Sequence, residues 1–471
     1  LPRHSSPQTP LIAAGLMLFM AFSVFAFAAT EDWSAAVCEV LLFLLAGWAG
    51  YKDPGILSFP RRLWAPFLIV LILLAVGLIQ LIPMPKSFWR WTGDERGVIQ
   101  ERAVEGEVLL RSDLYRTDPL SGRVSPPDTD APQTPAPGTS LPATFTPLLT
   151  LRAWVALWAA LLLILMLEAL ARGQREGLRI LAWAVGAAGL AVGFWALVHF
   201  REAPTKVLGV RESTRAGGSF GPFINENNGM GFVNLAFFML YYLLWRRVAQ
   251  ERRLSNKMGL GIAAFGILAF HAILLSIRTS VAGFWPLLLL PLVASLHALR
   301  RRPRLAIALG LTTLGTLAAA AFFTLHFRFT DLHGRWDLWR NALDQSHWLI
   351  GNGLGSFGER FQAVFKDVPV QSPVHWIYPE NEYLQIFFDA GLPGLLAALL
   401  ALGYVLHLGW RALMAGGCTF VLVPALWGEA LHAATDFSFH LWPVVFAALL
   451  LAILVDLALD REHHHGGAHR A

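Results

Sequence analysis

Four arginines, Arg211, Arg215, Arg278 and Arg335, stand in three separate polar connections of an otherwise apolar chain. Guanidinium groups match phosphate oxygens in a bidentate way, so arginines gathered on one face suit an anionic lipid headgroup, in particular a lipid pyrophosphate. Pairing with Asp331, Asp337, Glu226 or membrane phospholipid is the competing account of each. Arg278 resists that account most, because Ser276-Ile277-Arg278-Thr279-Ser280 is a short turn between two apolar runs with little room for an idle charge. Glu380 and Glu382 flank Asn381, and Tyr383 follows, just before another apolar run. A partly desolvated carboxylate there holds a proton more readily, as a general base acting on a sugar hydroxyl requires. Pro379 followed by Glu-Asn-Glu also suits a helix start whose acidic residues complement the macrodipole, and on spacing alone that account is the stronger. Asn225-Glu226-Asn227-Asn228 likewise precedes an apolar run, where backbone N–H groups can face an anion. Asp436 adds a carboxylate between His432 and His440. The run Gly351-Asn352-Gly353-Leu354-Gly355 lacks a Walker lysine and a strand before it, which argues against nucleotide binding.

These residues must be positioned by a chain of 471 residues that is 55% hydrophobic and 15% charged, a balance that calls for many spanning helices. Apolar runs occur at 11–29, 35–49, 64–82, 149–171, 180–198, 229–245, 259–275, 281–299, 305–325, 384–408, 418–432 and 443–459. Each approaches the roughly 20 residues that cross a bilayer. The first is too long for a signal-peptide core and counts as a helix. The expected fold is therefore an all-α polytopic membrane protein of about 12 transmembrane helices. Clusters at Lys52, Arg61 and Arg62, at Arg172, Arg175 and Arg179, at Arg246 to Lys257 and at Arg300 to Arg304 all fall on one side and mark the cytoplasm, with both termini. The chain then divides into helices 1–3 (1–82), an outward loop (83–148), helices 4–9 (149–325), a large periplasmic loop bearing short helices (326–383), and helices 10–12 with a cytoplasmic tail (384–471).

Within the large loop, Trp336, Trp339 and Leu343 recur at helical spacing, which suits a helix lying along lipid headgroups. The first outward loop is rich in Pro, Ser, Thr and Asp between 121 and 147, and its second half is expected to be flexible. Cys38 and Cys418 fall in apolar runs as small packing residues rather than a disulfide. Glu39, Glu168, His271 and Glu429 lie near the ends of their spans, where pairing with a neighbour or snorkelling accounts for them. The tail histidines His463, His464, His465 and His469 read as a solvated segment.

Several pieces together resemble the O-antigen ligase and Wzy-type polymerase superfamily of bacterial membrane glycosyltransferases. They are Gln80-Leu81-Ile82-Pro83-Met84-Pro85, Arg215 followed by Gly221 to Asn228, Ser276-Ile277-Arg278, Gly351 to Phe357, Asn381-Glu382-Tyr383-Leu384-Gln385 with Gly391-Leu392-Pro393-Gly394, and His432 through Asp436. Each piece is weak alone; their order, spacing and common side make the set fairly specific. The resemblance implies a donor glycan on undecaprenyl pyrophosphate and inverting transfer that uses neither metal nor cofactor. It implies an active site at the periplasmic face of the bacterial inner membrane, in lipopolysaccharide or exopolysaccharide assembly. Arg215 and Arg278 would hold the pyrophosphate, and Arg211, Arg335, Asn225, Asn228, Asn381, Tyr383 and Asp436 would line the substrate. The acceptor stays open among lipid A core, another lipid-linked glycan and a protein hydroxyl; no nucleic acid is implied. The chain departs from the family where a histidine base is expected, because that position is Glu380 and the nearest histidine is His375. The departure admits two accounts, Glu380 serving as the base or a chain that binds the lipid-linked glycan without transferring it. The first is preferred because the donor-handling motifs are intact and carboxylates serve as bases in sugar chemistry. A transporter, or a non-catalytic subunit of a polysaccharide machine, is the alternative function. Carriers bind at midplane on repeated, broken helices, and here no internal repeat is found and the ionisable residues gather at the outer edge.

Overall fold

The structure, a computed structural model, describes residues 9–84, 141–173, 175–202, 206–212, 219–277, 282–299, 329–364, 377–415 and 418–468, with isolated helical positions at 304, 307, 310, 311 and 315. Arg215, Arg278, His375, the body of the first outward loop and most of the expected span 305–325 lie outside the described residues. The helices are α1 (Thr9–Phe25), α2 (Asp32–Lys52), α3 (Trp64–Leu81), α4 (Pro147–Gly173), α5 (Arg175–Glu202), α6 (Glu226–Gln250), α7 (Leu254–Ile277), α8 (Trp285–Ala298), α9 (Phe329–Asp344), α10 (Phe357–Val364), α11 (Glu382–Ala415), α12 (Val423–Ala433) and α13 (Trp442–Ala468). Among the described residues, 8 of these are long and apolar enough to cross a membrane. Three shorter apolar helices stand at Pro10–Phe25, Trp285–Ala298 and Cys418–Ala433. Eleven of the twelve expected spans therefore have a helix at their place, and 305–325 is the one that does not enter the count.

Helix α6 is the centre of the bundle: 94% of its apolar window is buried, against 83% for α13 and 17% for the peripheral α7. Lipid tails are as apolar as leucine, so close backbone approach rather than hydrophobicity joins such helices. Gly186, Gly189 and Gly193 form that contact surface on α5, where Leu240 and Ala236 of α6 and Leu274 of α7 press on positions that lack a Cβ. A buried histidine inside the bundle is paired on both ring nitrogens. His271 Nε2 lies 2.7 Å from Asn234 Oδ1 and its Nδ1 3.3 Å from the Tyr241 hydroxyl. Asn234 also donates to the Gly283 carbonyl at 3.1 Å, tying α6 and α7 to the segment that enters α8. At the opposite end from residues 377–382, Arg62 pairs with Asp456 and, at 2.7 Å, with Asp460, and its backbone N–H donates to Glu168 at 3.1 Å.

One end of the bundle is clasped by backbone. The α11 helix is broken at Gly391, whose φ is +63°. Into that break packs the run 351–355, with Gly351, Gly353 and Gly355 at φ +72°, +122° and +74°. Asn352 N donates to the Phe388 carbonyl at 2.8 Å, Gly353 N to the Asp389 carbonyl at 3.1 Å, and Leu392 N to the Trp348 carbonyl at 2.7 Å. A Cβ on Gly351 would overlap the Asp389 and Ala390 backbone, so only glycine fits. Gln80, at the end of α3, threads the same knot. Its Nε2 donates to the carbonyls of Ile350 (2.6 Å) and Asp389 (2.8 Å), and its Oε1 accepts from Leu354 N (3.0 Å). Beyond Gln80 the ends of the first outward loop meet as an antiparallel ribbon, β1 (Pro83–Met84) against β2 (Leu141–Pro142). A second ribbon, β3 (Lys206–Val207) and β4 (Arg211–Glu212), follows α5.

Candidate functional site

The amphipathic α9 covers this end. Its Leu338 and Ala342 are buried with Phe357, Leu384 and Phe388, with Trp339 packed against them, while Trp336 and Leu343 remain exposed. Trp339 Nε1 donates to the Pro379 carbonyl at 2.7 Å, which fixes residues 377–381 against α9. The adjacent Glu380 is buried and takes φ +54°, a left-handed conformation that costs a non-glycine residue about 1–3 kcal/mol and persists where surrounding structure enforces it. Its carboxylate lies 3.5 Å from Arg335 Nη2, while Arg335 Nη1 donates to the Thr435 carbonyl at 2.6 Å. One arginine thus spans α9, the turn before α11 and the turn after α12.

Next to Thr435 lies a buried acid–imidazole array. His432 Nδ1 is 3.4 Å from Glu429 Oε2 and its Nε2 is 3.4 Å from Asp436 Oδ2. Glu429 Oε1 accepts a 2.6 Å hydrogen bond from the Ser438 hydroxyl, and Asp436 Oδ1 accepts from Phe437 N at 2.8 Å. The imidazole rests against Gly231 of α6, where a Cβ would come within 2.8 Å of it. Asn228 precedes Gly231 by one helical step and shares its face. It is buried, and its Oδ1 has no hydrogen-bond partner among the described residues.

A second carboxylate–imidazole pair stands two residues on from Glu380. Glu382 is buried, and its Oε1 accepts from Phe439 N at 2.7 Å and lies 3.2 Å from His440 Nδ1. The Tyr378 ring stacks on Phe437 at 4.2 Å and lies 4.7 Å from the His440 ring. Burial, reinforced by the Glu382 charge, pushes the Tyr378 phenol up to about 12, so it stays a neutral donor. Burial alone would lower the His440 pKa, but the nearby Glu382 carboxylate outweighs it and the net direction is up.

The residues singled out from sequence therefore divide. Glu380, Arg335 and Asp436 meet around the Thr435 turn, with Asn228 beside them through Gly231 and His432. Arg211 does not join Arg335; its ion pair is with Glu31 at the head of α2, next to Asp32, which pairs with Arg152 at 2.7 Å. Asn225 and Asn381 spend their side-chain oxygens as helix caps, accepting from Asn227 N at 2.9 Å and Leu384 N at 3.0 Å. The Tyr383 hydroxyl donates to the Ala430 carbonyl at 2.8 Å and ties α11 to α12. Each of these three side chains ties down an element around the site. The glycine run is packed against α11. Sequence reading passed over Asp389, which is buried with Oδ2 accepting from Gly355 N at 3.0 Å; an acid within an apolar run was the available signal. It also missed the pairings of Glu382 with His440 and of Glu429 with His432 and Ser438; the i,i+3 spacing of Glu429 and His432 was the available signal for one of them.

Residues 227–399 match the family model described as O-antigen ligase, so this part of the chain is similar to that family. The matched segment runs from the first turn of α6 into α11 and contains Arg278, Arg335, the clasp and Glu380. The array at Glu429, His432 and Asp436 lies outside it. No curated protein matches the chain.

Proposed function

We propose that the chain transfers a glycan from undecaprenyl pyrophosphate to an acceptor hydroxyl at the periplasmic end of the bundle, with inversion at the anomeric carbon. The observation that carries this reading is the junction at which Arg335 joins Glu380 to the Thr435 turn, drawing cationic, carboxylate and imidazole groups from three distant segments to one end of a membrane bundle. The family match adds a membrane glycan-transfer role. In the step itself the acceptor oxygen attacks the anomeric carbon and the bond from that carbon to the pyrophosphate oxygen breaks. The electron pair leaves on undecaprenyl pyrophosphate, and the acceptor's proton passes to a base of the cluster, for which Glu380 is the expectation from sequence. Arg215 and Arg278 are assigned to the diphosphate, where fixed positive charge stabilises the leaving group as it forms. Arg335 keeps the acceptor side in register.

The test is transfer by purified protein in lipid nanodiscs, supplied with a lipid-linked glycan and, in separate arms, lipid A core, a second lipid-linked glycan and a hydroxyl-bearing protein. Product in one arm, lost in Arg278→Ala and Glu380→Gln, is the expected result. Donor binding should fall in Arg278→Ala and persist in Glu380→Gln. Solute uptake into vesicles that is indifferent to these residues would replace the reading with that of a carrier.

A further inference from the structure

We infer that the imidazole of His440, oriented by Glu382, is the group that receives the acceptor's proton, and that Glu380 serves as the counter-ion that positions Arg335. The inference rests on the transfer reading above and assigns its base. Glu380 is turned toward a guanidinium, and a carboxylate engaged in an ion pair gives up attraction for that cation when it takes a proton. His440 has the opposite surroundings. Its Nδ1 faces the Glu382 carboxylate, and a carboxylate at one ring nitrogen fixes the tautomer and stabilises the imidazolium that forms when the other nitrogen accepts a proton. The Glu382 side chain is only 5% exposed and the His440 side chain 32%, so the orienting acid is buried while the imidazole reaches the surface. Tyr378 and Phe437 hold the ring from the side, and aromatic faces of this kind also suit a sugar ring. The charged groups facing the imidazole are Glu382 and Asp389, both on α11; the Phe437 carbonyl is a further hydrogen-bond acceptor, and behind Tyr378 stand Asp32 and Arg152. In the step, the hydroxyl O–H bond breaks toward His440 Nε2 as the new glycosidic bond forms, and the proton then returns to solvent.

The experiment is the pH dependence of transfer by nanodisc-reconstituted wild type and by His440→Gln, Glu382→Gln and Glu380→Gln, with binding of undecaprenyl pyrophosphate measured alongside. Wild-type rate should rise with pH through a midpoint above the ordinary histidine value of about 6.5. Glu382→Gln should move that midpoint down, because the carboxylate that raises it is gone. His440→Gln should lose about 100-fold or more in rate and flatten the limb while donor binding persists, and added imidazole should restore part of the rate to His440→Gly. Equal rates and profiles for wild type and His440→Gln would overturn the assignment while leaving the transferase reading intact. So would a limb that vanishes only in Glu380→Gln. Wild type that binds donor yet transfers to no acceptor overturns both.

Discussion

Arg335 makes two contacts that a lysine cannot make together, one to a carboxylate and one to a carbonyl, through different nitrogens of one planar group. Arg335→Lys should therefore cost roughly 1–3 kcal/mol of stability, as expected when a buried acceptor is left unmade, together with a large loss of transfer; thermal unfolding and the nanodisc assay read the two separately. His440 carries a pH signature of its own. Its folded pKa is raised, so the stability it contributes through Glu382 is fully present below about pH 6.5 and fades as pH climbs through the folded value. The difference in melting temperature between wild type and His440→Gln should accordingly be widest in mild acid and shrink in alkali; a gap that widens with pH would contradict the pairing. Glu380, Arg335 and Asp436 were legible as single residues because polar groups beside apolar runs announce themselves. Arg211 was legible as a charged residue, but its ion pair with Glu31 was not, because the two lie 180 positions apart in the chain.

At the level of elements, the break in α11 and the glycine run are two halves of one joint. Gly351→Ala or Gly391→Ala forces a side chain into a left-handed position, about 1–3 kcal/mol by backbone alone, and into a neighbouring backbone as well. Each should lower the unfolding temperature in detergent. The double variant should cost less than the sum, because both remove the same contact. Gln80→Leu should behave similarly, leaving the Leu354 N–H without its side-chain acceptor. The Gly-rich and Gln-Leu-Ile-Pro motifs were visible in the sequence as motifs, yet their meeting was not. Hydrogen bonds from residue 80 to residues 350, 354 and 389 cross three elements, and no periodicity reports such a partner.

For the whole molecule, the orientation proposed from the arginine clusters yields a direct test. A membrane-impermeant thiol reagent applied from outside should label Asp344→Cys, in the last turn of α9, and spare Ser255→Cys, in the first turn of α7 beside the basic connection from α6. The opposite pattern would turn the bundle over and place the candidate site in the cytoplasm. Segment length and hydropathy by themselves located eleven of the twelve expected apolar helices, because bilayer thickness acts on each stretch of chain independently. The amphipathic α9 was readable for the same reason, since a helical period is a local property. Which polar residues share a site was decided only when α6, α11, α12 and α13 packed. Glu382 meets His440 across 58 positions and Arg335 reaches Thr435 across 100, distances over which the chain holds no record beyond the shapes of the helices between.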